Sequence, residues 1–306
     1  MIVAVSGASG FIGRALGARL AARGETIRRL VRGAATGTDV GWDPSRGTID
    51  GAALEGTDVV VHLAGEPLTD GRWNAAKKRR IVESRENGTR LIAETLAGLA
   101  QRPRVLLSAS AIGIYGSRGD ELLTESSGPG TGFLADVCRG WEEATLPAQR
   151  AGIRVVHLRI GIVLDPSGGA LRAMLPIFRL GLGGRFGSGR QWMSWITLED
   201  TVGAIVYAMG HEGLSGPVNV VAPEPVTNAV FTMELGKALH RPAVLPAPAW
   251  ALRLVVGEMA DEAVLASARA VPRRLLETGF AFSQANLDGA LAAALDAPRS
   301  GPPSRA

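Results

Sequence analysis

Three glycines spaced three apart, Gly7, Gly10 and Gly13 in the run GASGFIG, are the residues of this 306-residue chain that most directly imply a ligand. They follow a short β-branched run from Ile2 to Ser6, and Phe11 and Ile12 then open a helical pattern that continues to about Arg23. Between a strand and a helix, each glycine removes a side chain that would obstruct the turn, a pyrophosphate or the helix–strand contact. The helix start turns unpaired N–H groups and a partial positive charge toward the phosphates. This is the chemistry of dinucleotide binding. A second strand, Thr26 to Val31, ends in Arg32, where a chain selecting NAD usually places an acid for the ribose hydroxyls. Arginine at that point implies the 2′-phosphate of NADP(H). Leu63, Ala64 and Gly65 end a third strand, where small apolar residues let the adenosine half of a dinucleotide lie close to the backbone.

The elements that must position these residues are legible in the same pattern. Gly24 stops the first helix, giving a β-α-β unit whose parallel strands need the crossover helix between them. Further strands are predicted at Asp58 to Leu63, Arg104 to Ser108, Ile153 to Leu158 and Pro217 to Val221, and helices from about Asn74 to Ala100 and from Phe133 to Arg150. The alternation predicts an α/β fold, a doubly wound parallel Rossmann sheet with helices on both faces. From Gly168 the pattern changes to helices broken by Gly and Pro, which predicts a smaller, mostly helical substrate lobe over the carboxyl ends of the strands. Asn228 is placed to cap a helix running to Leu239, and Pro242 to Pro248 reads as a stiff connector before another helix. The boundaries are then residues 1–165 for the NADP-binding core, completed by a strand near 217–221, residues 166–297 for the lobe, and residues 298–306 for a disordered tail.

Composition narrows the function classes. The single cysteine, Cys138, excludes an intrachain disulfide and a cysteine-rich metal site, so no metal is expected and the cytoplasm is the default compartment. No secretory signal is read at Met1, and the longest apolar stretches, broken by Arg172, Arg179 and Arg253, are too short to span a membrane. The basic run Lys77-Lys78-Arg79-Arg80 is contiguous on a predicted helix and spreads around it, so it reads as a solvated face and not as a nucleic-acid site. The expected partner is a small-molecule substrate or effector; the oligomeric state is not specified.

With GASGFIG, Leu63-Ala64-Gly65 and SASAIGIYG from Ser108 to Gly116, the chain resembles the extended short-chain dehydrogenase/reductases of the NAD-dependent epimerase/dehydratase superfamily. The segments Gly71–Trp73, Ser84-Arg85, FLADVCRGWE, GLGGRFGSGRQWMSWI, GPVNVVAPEPVTN and PRRLLETGF resemble one branch, the YfcH-like epimerase family proteins with a carboxy-terminal domain of unknown function. The resemblance implies NADP as cofactor. It also implies a Tyr-x-x-x-Lys pair, in which lysine lowers the tyrosine pKa for proton exchange with a substrate hydroxyl. Placing Glu142 at the acidic position that follows this pair puts Cys138 at the lysine and Leu134 at the tyrosine, so the pair is absent. Arg85 occupies the position of a conserved-pattern Asn ahead of Gly88-Thr89, where it is expected to bind a phosphate or anion, the alternative being an ion pair with Glu94. Cys138 falls on one helical face with Leu134, Val137, Trp141 and Thr145 and reads as a small buried hydrophobe.

For catalysis the resemblance points to Ser108 and Ser110, where relatives keep a hydroxyl that bonds the reacting oxygen. Tyr115 is the candidate replacement acid. On the substrate side, Gln191, Trp192 and Trp195 follow a glycine-rich stretch and read either as a ligand-stacking wall or as a plug between the lobes. Near the arginine that grips a sugar-nucleotide phosphate in epimerase relatives, this chain has Met193, with Arg190 close by. Two readings follow: an atypical NADP-dependent oxidoreductase or epimerase, and a noncatalytic NADP(H)-dependent sensor or regulatory protein.

Overall fold

The computed structural model describes residues 1–296. Its centre is an eight-stranded sheet in the order β12-β8-β6-β5-β1-β2-β3-β4. The strands are β1 (Ile2–Ser6), β2 (Thr26–Val31), β3 (Val40–Asp43), β4 (Thr48–Ile49), β5 (Val59–His62), β6 (Val105–Ala111), β8 (Arg154–Ile160) and β12 (Gly216–Val220). All pair in parallel except β4, which returns from β3 as an antiparallel hairpin. This hairpin is not signalled by alternation in the sequence, because β3 carries Gly41 and Asp43 and β4 is only two residues long.

Side chains of a strand alternate between its faces, and the two cores divide accordingly. Val3, Val5, Val59, Val61, Val105 and Leu107 join Leu16 and Leu20 of α1 (Phe11–Ala22) and Ile205 and Met209 of α6 (Leu198–Gly210) on one side. Ala4, Val60, Leu106 and Val155 face Ile92 and Leu96 of α2 (Ala75–Gly98) on the other. Continuous apolar strands are therefore buried on both faces, as a doubly wound parallel sheet requires. The helix expected from Phe133 to Arg150 is two, α3 (Phe133–Glu143) and α4 (Leu146–Arg150), with Pro147 in the first turn of the second. Proline suits a helix start and not an interior, so the chain breaks there.

The lobe has its own core from α5 (Gly169–Arg179), α7 (Asn228–Ala238) and α10 (Leu287–Asp296), with Leu175, Phe178, Trp195, Phe231, Leu235 and Leu291 buried together. Three short strand pairs lie outside the main sheet: β7 (Leu122–Leu123) with β14 (Arg269–Ala270), β9 (Ile162–Leu164) with β11 (Trp195–Thr197), and, within the lobe, β10 (Trp192–Met193) with β13 (Val226–Thr227). Of the elements after residue 165, α6 packs into the sheet core and β12 pairs within the sheet. The cap of α7 is Thr227, whose hydroxyl accepts from Val230 N; Asn228 is the first helical residue, and its Oδ1 instead accepts from Phe186 N at 2.7 Å. Pro248 caps α8 (Ala249–Val256). A short helix, α9 (Arg273–Glu277), packs Leu275 against the sheet core. The predicted tail, 298–306, lies outside the described residues. Among the described residues no helix is long and apolar enough to cross a membrane.

Candidate functional site

The three glycines have different work. Gly7 closes β1 with φ 68°, in the left-handed region, and a Cβ there would meet the backbone of Leu63 and Ala64 at 2.9 Å. A Cβ on Gly13 would come within 2.1 Å of the Gly7 carbonyl oxygen, so α1 and the turn meet only because that atom is missing. A Cβ on Gly10 would touch nothing but Gly7 O, at 3.1 Å. The outer glycines permit protein contacts, whereas the middle one borders open space. Gly10 is also the N-cap of α1 and supplies no side-chain acceptor to the first N–H groups of the helix, which have no intrahelical partners. Of the two residues between Gly10 and Gly13, Ile12 packs into the core and Phe11 lies against Gly168 of the lobe, where a Cβ would meet its ring at 2.4 Å.

The neighbouring loop is held by a buried hydrogen-bond relay. Ser6 Oγ accepts from Leu63 N (3.2 Å) and Ala64 N (3.4 Å) and lies 2.5 Å from His62 Nδ1, while His62 Nε2 meets Thr89 Oγ1 at 3.0 Å. The relay ties the Leu63–Gly65 wall to the glycine turn and to α2. Burial, and then the nearby Arg85 charge, push the His62 imidazole down to about 4. On the other side of β1, Leu30 pairs with Ser6, which sets exposed Arg32 just beyond the sheet and beside the turn. Arg85 donates from Nη1 to Glu66 O (3.1 Å) and Ile81 O (3.3 Å) and stacks over Trp141, its guanidinium next to Gly65. Arg85 forms no ion pair with Glu94; its partners are carbonyls of the wall loop and its own helix. The basic run is less solvated than expected: Lys77 is buried on Glu66 at 2.8 Å, and Lys78 reaches Glu258 at 2.7 Å.

Beyond the carboxyl ends of β6 and β8 lies a cavity of about 410 Å³. Ala111, Gly113 and Ile160 form its floor, Leu134 of α3 one wall, and Met174, Trp192 and Met193 of the lobe its cover. A turn of π-helix over Ala260–Val264 closes the remaining side and contributes Glu262. Glu262 Oε2 accepts from Leu134 N at 3.0 Å, so the carboxylate caps α3, whose own N-cap, Gly132, has no side chain. The carboxylate and the helix start are mutually favourable. Nothing near Glu262 in sequence marks it as part of a site, because its partner is 128 residues away.

Residues 3–222 match the model of the NAD dependent epimerase/dehydratase family, and residues 247–294 match a domain of unknown function, DUF1731. The chain belongs to the NAD-dependent epimerase/dehydratase family. An epimerase family protein of Mycobacterium tuberculosis is 45% identical over 300 residues, which cover 97% of this chain and 98% of the relative. The crystal structure of human epimerase family protein SDR39U1 with NADPH superposes with a TM-score of 0.89 at 32% identity, over 97% of this chain and 100% of that one. A nucleoside-diphosphate sugar epimerase from Corynebacterium glutamicum has a TM-score of 0.79 at 38% identity, over 96% of this chain and 58% of its own.

In this member of the epimerase/dehydratase family the hydroxyls expected to do chemistry are turned inward. Tyr115 is fully buried; its OH lies 2.7 Å from Asn219 Oδ1 and 3.0 Å from Thr124 O, and it accepts from Arg159 Nη1 at 3.0 Å. Burial raises the phenol pKa against the opposing pull of Arg159. The Tyr115 hydroxyl is therefore spent on protein partners, and the residue is not among those lining the cavity. Ser110 donates to Glu142 Oε1 at 2.7 Å, and Ser108 is buried with only a weak contact to Ala109 O at 3.4 Å; neither lines the cavity. Glu142 of α3 also takes a bidentate bond from Arg159 of β8, 2.8 Å from Nε and 2.9 Å from Nη2. Burial alone would raise the Glu142 carboxyl, but Arg159, with His157 and Ser110, outweighs it and holds it below the ordinary range.

The three substrate-side candidates also separate. Trp192 lines the cavity, with its Nε1 on Asp120 Oδ1 at 2.7 Å and Arg269 over its ring. Trp195 is buried in the lobe core with Nε1 on Glu224 O and is not among the residues lining the cavity. Gln191 is likewise absent from the cavity lining; its side-chain Nε2 donates to Phe186 O and Val264 O, and its backbone carbonyl accepts from Asn228 N. Cys138 is buried beneath Gly113, and burial pushes its thiol up to about 12, which leaves no thiolate nucleophile near neutral pH.

Proposed function

We propose that the chain binds NADP(H) across the glycine turn and acts as an atypical oxidoreductase or epimerase on a small molecule seated in the neighbouring cavity. The observation that carries this reading is the space in front of Gly10, in a turn whose other two glycines are filled by protein. The cradle fits a pyrophosphate: unpaired N–H groups at the start of α1, no capping side chain, and a wall at Leu63–Gly65 held in place by Ser6. Arg32, exposed just past the end of β2, is available to pair a 2′-phosphate, and no carboxylate stands at that position in the sequence to repel it. The human relative crystallised with NADPH supports the same cofactor. When bound, the nicotinamide supplies or accepts hydride. Arg85 fixes the loop beside Gly65, and Leu134, which the family resemblance sets at the position of the tyrosine, gives the cavity an apolar wall instead of a phenol.

Fluorescence titration tests the cofactor. NADPH should bind about 10- to 100-fold more tightly than NADH, the worth of one charge-assisted contact, and Arg32→Ala should erase that preference. Equal affinities in the unaltered chain would refute the assignment of Arg32.

A second reading, a noncatalytic NADP(H)-dependent sensor, is favoured by the inward orientation of Ser108, Ser110 and Tyr115. NADPH consumption in the presence of small carbonyl compounds supports the enzyme; stoichiometric binding without consumption supports the sensor.

A further inference from the structure

A nucleoside-diphosphate sugar needs cations around its phosphates. None of the residues lining the 410 Å³ cavity is lysine, arginine or histidine. Met193 is in the wall, and Arg190 is exposed and is not part of the lining. The charged groups that do face the cavity are Asp261 and Glu262. Asp261 is neutralised by Arg253, at 2.9 Å, whereas Glu262 forms no ion pair among the described residues and spends only Oε2, on Leu134 N. The lining residues therefore offer a diphosphate no cation, the Glu262 carboxylate favours positive charge, and the largely apolar walls favour a hydrocarbon body.

We propose that this cavity takes a small apolar organic cation, a protonated amine or imine, with its nitrogen on the Glu262 carboxylate. The inference rests on the reading of the cavity as the substrate site beside a bound dinucleotide. It also accounts for the wall chemistry. A ligand that arrives with its nitrogen already protonated needs no acid from the positions held by Leu134 and Cys138. A carboxylate facing an apolar pocket gains a charge-assisted hydrogen bond from an ammonium or iminium N–H and nothing comparable from a ketone.

Calorimetric titration of the intact chain, with and without saturating NADPH, tests this with benzylammonium, benzyl alcohol, benzoate and UDP-glucose. The expected order is benzylammonium tighter than benzyl alcohol by about 10-fold or more, with benzoate and UDP-glucose weaker still. Glu262→Gln keeps an acceptor for Leu134 N and should remove the ammonium preference while leaving NADPH affinity unchanged. Asp261→Asn should leave the preference in place. Benzoate or UDP-glucose binding as tightly as benzylammonium, no measurable benzylammonium binding, or an undiminished preference in folded Glu262→Gln protein would each overturn the proposal. Failure of NADPH to bind would instead count against the cofactor reading, so the two failures are distinguishable.

Discussion

A valine at Gly13 would drive its first carbon into the Gly7 carbonyl, whereas a valine at Gly10 would project mainly into open space. Gly13→Val should therefore give a protein without a cooperative thermal transition, and Gly10→Val one with native circular dichroism and melting. Similar melting of the two variants would show that the turn does not divide as described. Tyr115 gives a second contrast. Removing its hydroxyl leaves Arg159 and Asn219 short of a buried partner, which should cost about 1–3 kcal/mol in urea unfolding. A general acid would instead lose about 10²- to 10⁴-fold in rate. Tyr115→Phe should show the stability loss and, per folded molecule, no such rate loss. The sequence could not reveal this orientation, because Asn219 lies 104 residues away and the neighbouring Ile-Tyr-Gly pattern is the same whichever way the ring points. Gly10, in contrast, was legible at once, since glycine spacing is itself the local geometry.

At the scale of elements, the site depends on two buried polar joints. The first is Glu142–Arg159, which ties α3, the helix carrying Leu134, to β8. Arg159→Met strands a largely buried carboxylate and should cost about 3–5 kcal/mol, while the double change Glu142→Leu with Arg159→Met should recover much of that loss. An equal or greater loss in the double variant would contradict the joint. The second is His62 between Ser6 and Thr89. Its imidazole takes a proton only near pH 4 when folded, against about 6.5 when unfolded. The unfolded chain thus binds the extra proton between those values. Stability should be complete above about pH 6.5 and fall as the pH drops toward 4, by about 3 kcal/mol from this residue. Urea midpoints at pH 7.5 and 4.5 should differ less in His62→Gln than in the parent chain; an unchanged difference would remove His62 as the cause. The parallel strands were readable because both faces are buried and the runs are continuously apolar. The break between α3 and α4 was not, because apolar periodicity carries through Thr145 and only Pro147 marks the stop.

Across the whole molecule, the glycine turn and the cavity come from different parts of the chain. The sheet supplies the turn and the floor, and the lobe supplies Met174, Trp192 and the Glu262 turn as cover. The glycine turn follows from the first 13 residues, but the cavity exists only after residues up to Ala268 have returned over the strands, so Glu262 carried no signal in the sequence. Binding at the turn and selection in the cavity should accordingly be separable by mutation. Calorimetric titration of NADPH into the parent chain and Gly10→Val tests the central claim most directly, since the two should share one fold. The account predicts saturable one-to-one binding by the parent and no measurable heat of binding by the variant. No binding by the parent, or equal affinity in a well-folded Gly10→Val protein, would contradict it.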